Sequence, residues 1–280
     1  MLEGVRFSSR SSGLVAAAPD RAALLQQLRQ GLTAALTAGR PARTFAFGLN
    51  AVDSALPQGG LLCNALHEVV PAMEGALEST LAAVFGFVAA LVTRLAAVTK
   101  RGKDNNAPLV FVMPAYGQRR YGRLSGQGLK SFGLDPASVI LAETAHRKDT
   151  LWTMTEALRS IAPQAVVGLI DTLDLKTSQK LHLAATDCGL PLFLIRPPRI
   201  LEASAAATRW RIGTAEAARD RFGLYVRPRW HLRLERCRNG RPGEWVVEYD
   251  HVTHCFSLAA ALANPSFSRR PGDPSFRQAG

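Results

Sequence analysis

From about Phe45 onward the chain alternates short, wholly apolar runs with longer stretches whose apolar residues recur at helical spacing. The runs cover residues 66–70, 109–113, 139–141, 166–170 and 192–195. Between them the pattern predicts a helix through 81–92 to about Val98 and another near 126–132. A third is capped by Asp149, with Leu151, Met154, Leu158 and Ile161 on its apolar side, and a fourth passes through 181–185. Apolar strands separated by helices imply βαβ crossovers and a mostly parallel sheet covered on both faces. The twelve-residue apolar run 81–92 falls short of the roughly 20 residues a membrane span needs. It therefore predicts a helix buried on all sides, and no membrane is expected as a partner.

The pattern differs at both ends. Residues 1–18 carry no periodic signal. Pro19-Asp20 then resembles a helix start, and Leu24, Leu25, Leu28, Leu32 and Leu36 keep helical spacing. That is a docking helix outside the main sheet. After Pro197-Pro198 the segments Trp230-His-Leu-Arg-Leu-Glu and Glu244-Trp-Val-Val-Glu-Tyr-Asp alternate with period two around Asn239-Gly240. They predict an antiparallel hairpin with one face in water. Residues 264–280 hold three Pro, three Arg and few large apolar side chains, too little to offset chain entropy. The expected division is an arm and docking helix over 1–43, a core over 44–263 and a flexible tail over 264–280.

Charge adds a partner class. The formal net charge is +12, from 34 Lys and Arg against 22 Asp and Glu. Residues 196–241 alone carry twelve Arg against four acidic residues, so the basic surface is localised in sequence. Such an excess favours phosphates or an acidic protein face without choosing between them. Cys63, Cys188, Cys237 and Cys255 lie far apart and form no C-x-x-C, which suggests neither a disulfide framework nor a zinc ribbon. A reducing cytoplasm is the plain reading, and the run 13–18 is too short for a signal-peptide core.

The stretch Phe47-Gly-Leu-Asn-Ala-Val-Asp-Ser-Ala-Leu-Pro-Gln-Gly-Gly-Leu, followed by Leu66-His-Glu-Val-Val, resembles the entry to the ATPase core of RecA and its relatives. Asp171, at the end of a buried run, extends that resemblance. Thr208-Arg-Trp-Arg-Ile and the hairpin over 230–249 are similar to the ImuA family, RecA-like accessory proteins of bacterial mutagenic repair. The resemblance implies a RecA-like α/β core with a C-terminal antiparallel hairpin.

One departure from RecA is informative. A working phosphate loop is G-x-x-x-x-G-K-[ST], whose backbone N–H groups, Lys and hydroxyl hold the phosphates and Mg²⁺. Here Pro71-Ala-Met-Glu-Gly-Ala-Leu-Glu-Ser-Thr-Leu follows the strand, and no Lys occurs before Lys100. Glu74 and Glu78 would repel a triphosphate, and Pro71 lacks an N–H. Met113-Pro114-Ala115 stands where RecA carries its catalytic carboxylate. No catalytic residue and no cofactor is therefore expected.

Other candidates stay open between two readings. Asp171 is either a relic of a metal-binding carboxylate or a helix cap, and His67-Glu68 is either an acid–base pair or structural hydrogen bonding. His251, His254, Cys255 and Cys237 could be drawn as a zinc site, but on a strand 251 and 254 face opposite sides, so no metal is expected. Arg119, Arg120, Tyr121 and Arg123 follow a strand end, where interleaved Arg and Tyr can grip phosphates and stack on bases. A solvated loop or an acidic docking partner fits them too. The same choice covers Arg209 and Arg211 around Trp210, whereas Arg196 and Arg199 flank Pro197-Pro198, near where RecA relatives put a DNA-facing loop, and are either a fixed contact or a structural turn.

By the resemblance, the chain would be an accessory factor of SOS-induced translesion mutagenesis, cytoplasmic and nucleoid-associated. It would partner an ImuB-like relative of Y-family polymerases and an error-prone polymerase complex, with single-stranded or primed DNA and RecA as further partners. Leu24, Leu25, Leu28 and Leu32 would meet the protein partner. A SulA-like cell-division inhibitor and an unconventional ATPase using Asp171 are the alternatives.

Overall fold

The structure is a computed structural model that describes residues 43–72, 77–99, 107–197, 203–217, 222, 224 and 227–259. By internal contacts the chain divides into two units, Met1–Pro41 and Ala42–Gly280. The leucines of the expected docking helix, the tail 264–280 and Arg199 lie outside the described residues.

The second unit opens on a two-stranded ribbon, β1 (Thr44–Phe45) antiparallel to β2 (Leu61–Leu62). The short helix α1 (Asn50–Asp53) sits between them. The Gly…Asp signature of the RecA-like entry has a direct physical cause here. The Asp53 carboxylate accepts from the N–H groups of Phe47, Gly48 and Leu49 at 2.8, 3.0 and 3.0 Å. Gly48 takes φ +85°, where a side chain is strained, and a Cβ there would also press on the tip of the Arg94 side chain at 2.9 Å.

The main sheet is built from β3 (Leu66–Pro71), β4 (Leu109–Pro114), β5 (Val139–Thr144), β6 (Ala165–Leu169), β7 (Leu192–Ile195), β8 (Thr208–Ala215), β9 (Arg229–Cys237), β10 (Gly243–Asp250) and β11 (Cys255–Leu258). Its order is β11-β10-β9-β8-β3-β7-β6-β4-β5. The pairs from β5 through to β8 are parallel and those from β8 to β11 antiparallel. The mostly parallel core with antiparallel C-terminal strands is the expected α/β fold. The hairpin β9–β10 turns at Asn239-Gly240, with Asn239 at φ 62°. It is not an appendage: β8 runs parallel to β3 on one side and antiparallel to β9 on the other, making one continuous sheet.

Helix α2 (Leu77–Thr99) covers one face. Its apolar stretch, Leu81–Val98, is longer than the run of twelve and long enough by composition to cross a membrane. It is the core helix, however: Leu81, Val84, Phe87, Val88, Leu91 and Leu95 are buried against the sheet. Burial of each such side chain contributes about 1.5–3 kcal/mol. The same face carries the inward residues of the antiparallel strands, with Phe87 edge-on to Trp230 at 6.0 Å and Trp230 stacked on Phe132 at 6.3 Å. Helices α5 (Arg147–Arg159) and α6 (Leu175–Cys188) cover the other face through Met154, Leu158, Leu181 and Ala185.

Two helix starts differ from the sequence expectation. Asp149 lies inside the first turn of α5, whose N-cap is His146 without a side-chain bond. A carboxylate there is placed to offset the positive end of the helix dipole instead. The cap of α6 is Asp174, whose carboxylate accepts from Thr177 N–H at 2.8 Å.

Candidate interaction edge

The carboxyl ends of β3, β4, β6, β7 and β8 share one edge of the sheet, where open α/β folds place ligands. At the end of β3 the first backbone groups are already engaged. Pro71 has no N–H, its carbonyl accepts from Arg211, and the Ala72 N–H donates to Ile212 O at 2.7 Å. Neither residue can donate to a phosphate. Residues 73–76, with Glu74 and Gly75, and the Glu78 side chain lie outside the description. At the end of β4, Met113 is buried and Pro114 leads straight into α3 (Ala115–Tyr121), so no carboxylate stands there.

Asp171 follows β6. Its carboxylate accepts from Thr172 N–H at 2.9 Å rather than capping α6. The Tyr116 hydroxyl is buried near it, and burial together with the Asp171 charge pushes that phenol up to about 12. Tyr116 thus stays neutral throughout the physiological range.

His67 and Glu68 do not form a pair, because adjacent strand residues face opposite sides of the sheet. On the α2 side, His67 Nε2 lies 2.8 Å from Leu62 O and Nδ1 lies 2.8 Å from Thr208 Oγ1. A carbonyl only accepts, so Nε2 carries the proton, the Thr208 hydroxyl donates to Nδ1, and Trp210 Nε1 donates to Thr208 Oγ1 at 3.0 Å. Burial holds His67 down at about 4, opposed by its bond to the Leu62 carbonyl. This is structural hydrogen bonding, the second of the two readings left open.

On the opposite side, fully buried Glu68 accepts from Arg196 Nη1 at 3.0 Å and Arg209 Nε at 2.7 Å. Sequence reasoning missed this Arg–Glu–Arg triad, since its only signal is a charged residue inside an apolar strand. Arg196 is 2% exposed, so its guanidinium lies inside the protein and not on a nucleic-acid-facing surface. Arg209 is 15% and Arg211 23% exposed, and Arg211 pairs with Glu235 through two nitrogens. Arg229–Glu248 and Arg227–Asp250 extend this ladder across the outer face of β8–β10. Much of the basic excess in 196–241 is neutralised locally.

The other basic cluster is different. Tyr116 to Tyr121 form the helix α3 rather than a loop, and a Cβ at Gly117 would meet Leu169 at 2.4 Å, which is why the helix can lie so close to β6. Arg119 and Arg120 occupy its last turn, favourable for the helix dipole. Gly122 at φ +88° ends it. Arg119, Arg120 and Arg123 are exposed, and none forms an ion pair among the described residues. The Arg120 guanidinium lies over the Tyr121 ring, 5.5 Å from its centroid.

Among the described residues no group of three His, Cys, Asp or Glu could hold a metal. His251 and His254 lie in the turn between β10 and β11, not on a strand. Their ring nitrogens face Ser131 O and the Tyr249 hydroxyl. Cys237 pairs with Thr208 of β8 whereas Cys255 pairs with Asp250 of β10, and burial raises the Cys237 thiol to about 11.

No protein-family model matches the chain. Curated relatives do. The chain is 32% identical over 239 residues to Protein ImuA of Caulobacter vibrioides strain NA1000 / CB15N, covering 80% of this chain and 92% of the relative. The protein of strain ATCC 19089 / CIP 103742 / CB 15 gives the same figures. This chain belongs to the ImuA family. Nearly the whole ImuA relative is covered, so membership extends well beyond the short motifs that first suggested it.

Proposed function

We propose that this ImuA-family chain is a non-hydrolysing accessory factor in bacterial DNA-damage tolerance, acting in SOS-induced translesion mutagenesis. Family membership over most of both chains carries the reading. The end of β3 supports its non-hydrolysing half, since Pro71 and Ala72 have no N–H left for a phosphate. In this reading the chain joins an ImuB-like relative of Y-family polymerases and an error-prone polymerase, with RecA as a further partner. Leu24, Leu25, Leu28 and Leu32 supply one apolar contact.

Single-stranded or primed DNA is met by Arg119, Arg120, Tyr121 and Arg123, where exposed guanidiniums without carboxylate partners adjoin an aromatic ring. Arg199 and the exposed parts of Arg209 and Arg211 add to this surface, and Arg196 does not. Such contacts would keep the protein in the cytoplasm at the nucleoid.

Deleting the gene and scoring ultraviolet-induced mutation frequency tests the function. The frequency should drop at least about tenfold and return with either the wild-type gene or an Asp171→Ala variant. Unchanged induced mutagenesis in the deletion strain would remove the proposal, and rescue by wild type alone would point to catalysis at Asp171.

A further inference from the structure

Beside the arginines of α3 lies a cavity of about 530 Å³, between α2, the segment joining α3 to α4 (Gly126–Ser131), and the adjoining ends of β8 and β9. Its walls are Phe85, Met113, Leu124, Leu129, Phe132 and Trp230. Gly86 contributes no side chain: a Cβ there would stand 3.0 Å from Phe132 and 3.3 Å from Trp230. Exposed Ala82 lies at the mouth.

Two features point to the kind of occupant. The first is charge. Among the described residues no Asp or Glu lines the cavity, and the rim carries Arg123, with Arg119, Arg120 and Lys130 on the flanking helices. Arg229, the other lining cation, is already paired with Glu248. Exposed Glu216, between the lining residues Ala215 and Ala217, is the neighbouring carboxylate on β8's side and leaves the rim positive. The second feature is the lining itself, which is aromatic and aliphatic at Phe85, Leu124, Leu129, Phe132 and Trp230.

A nucleobase or small polar metabolite needs donors and acceptors converging on its edges, and these walls offer aromatic and aliphatic carbon. A protein segment needs a pocket for large anchors and a complementary polar rim. We infer that this groove docks an acidic segment of the polymerase-like partner, which inserts bulky apolar side chains against Phe85, Phe132 and Trp230 while its carboxylates meet Arg123. The inference rests on the partner-binding half of the proposed function.

The test uses the full chain, the purified polymerase-like partner and a labelled single-stranded oligonucleotide. Ala82→Trp fills the mouth, Ala82→Glu places a carboxylate in it, and Ala82→Lys keeps the rim positive. Position 82 is solvent-exposed, and melting temperatures near wild type confirm folding. Partner affinity should fall at least about tenfold for Ala82→Trp and Ala82→Glu, less for Ala82→Lys, with oligonucleotide affinity unchanged in the uncharged Ala82→Trp.

Wild-type partner affinity in both Ala82→Trp and Ala82→Glu would overturn the groove while sparing the function. A tenfold loss of oligonucleotide affinity with the partner still bound would make it a nucleic-acid groove and overturn the inference. A wild-type chain that does not bind the partner at all would overturn the functional reading itself, and this site with it.

Discussion

At the scale of single residues, the largest commitments are buried polar groups. Glu68 neutralises two guanidiniums in the sheet, and Arg196 in particular has no route to solvent. Glu68→Gln keeps the shape but leaves buried positive charge unpaired, which costs about 3–5 kcal/mol. Melting temperature should fall on the order of 10 °C, and a change of only one or two degrees would mean the triad is not formed.

His67 makes a second prediction. Its folded-state value near 4 lies below the ordinary 6.5, so the unfolded chain takes up a proton that the native one refuses. Stability is full above pH 6.5 and declines as pH falls towards 4, by up to about 3 kcal/mol from this group. His182 is held down to about 4 as well, by burial and by Arg238 and Arg236, and pulls in the same direction. Urea midpoints between pH 7.5 and 4 should trace this decline, and His67→Gln should flatten part of it. Equal slopes for wild type and variant would refute the assignment.

At the scale of elements, α3 places Arg119 and Arg120 on an exposed last turn at the carboxyl edge of the sheet. Changing both to Glu should weaken single-stranded DNA binding and flatten its dependence on salt. Each lost phosphate contact removes about 0.7 from the slope of log affinity against log salt. Polarisation at several salt concentrations measures this, and an unchanged slope would free α3 from any role with DNA.

What was legible in the sequence follows from the physics of each element. Strands β3, β4, β6 and β7 read clearly because strands buried on both faces leave continuous apolar runs, the exposed edge strand β5 shows only a short one, and the hairpin was clear because one wet face enforces alternation. Helix α3 is short and begins at a proline, so its seven residues show too little periodicity to distinguish from a loop. The partners of Glu68 lie 128 and 141 positions away. Only the β7-β3-β8 register brings them together, and no local pattern carries it. The groove beside α2 was invisible for the same reason: its walls come from distant elements, and each wall residue alone reads as ordinary core.

At the scale of the whole molecule, the sheet joins two halves with different surfaces. The parallel half is wrapped by helices on both faces, while the outer face of β8–β10 is a ladder of ion pairs. Arg119, Arg120 and Arg123, which form no ion pair among the described residues, lie at the sheet's carboxyl edge beside an apolar groove. Under the proposed function this edge recognises macromolecules and does not hold a nucleotide. Calorimetric titration of the full chain with ATP and Mg²⁺ tests it most directly. No binding heat is expected up to millimolar nucleotide; stoichiometric binding with a Kd below about 100 μM, lost in Asp171→Ala, would contradict the claim.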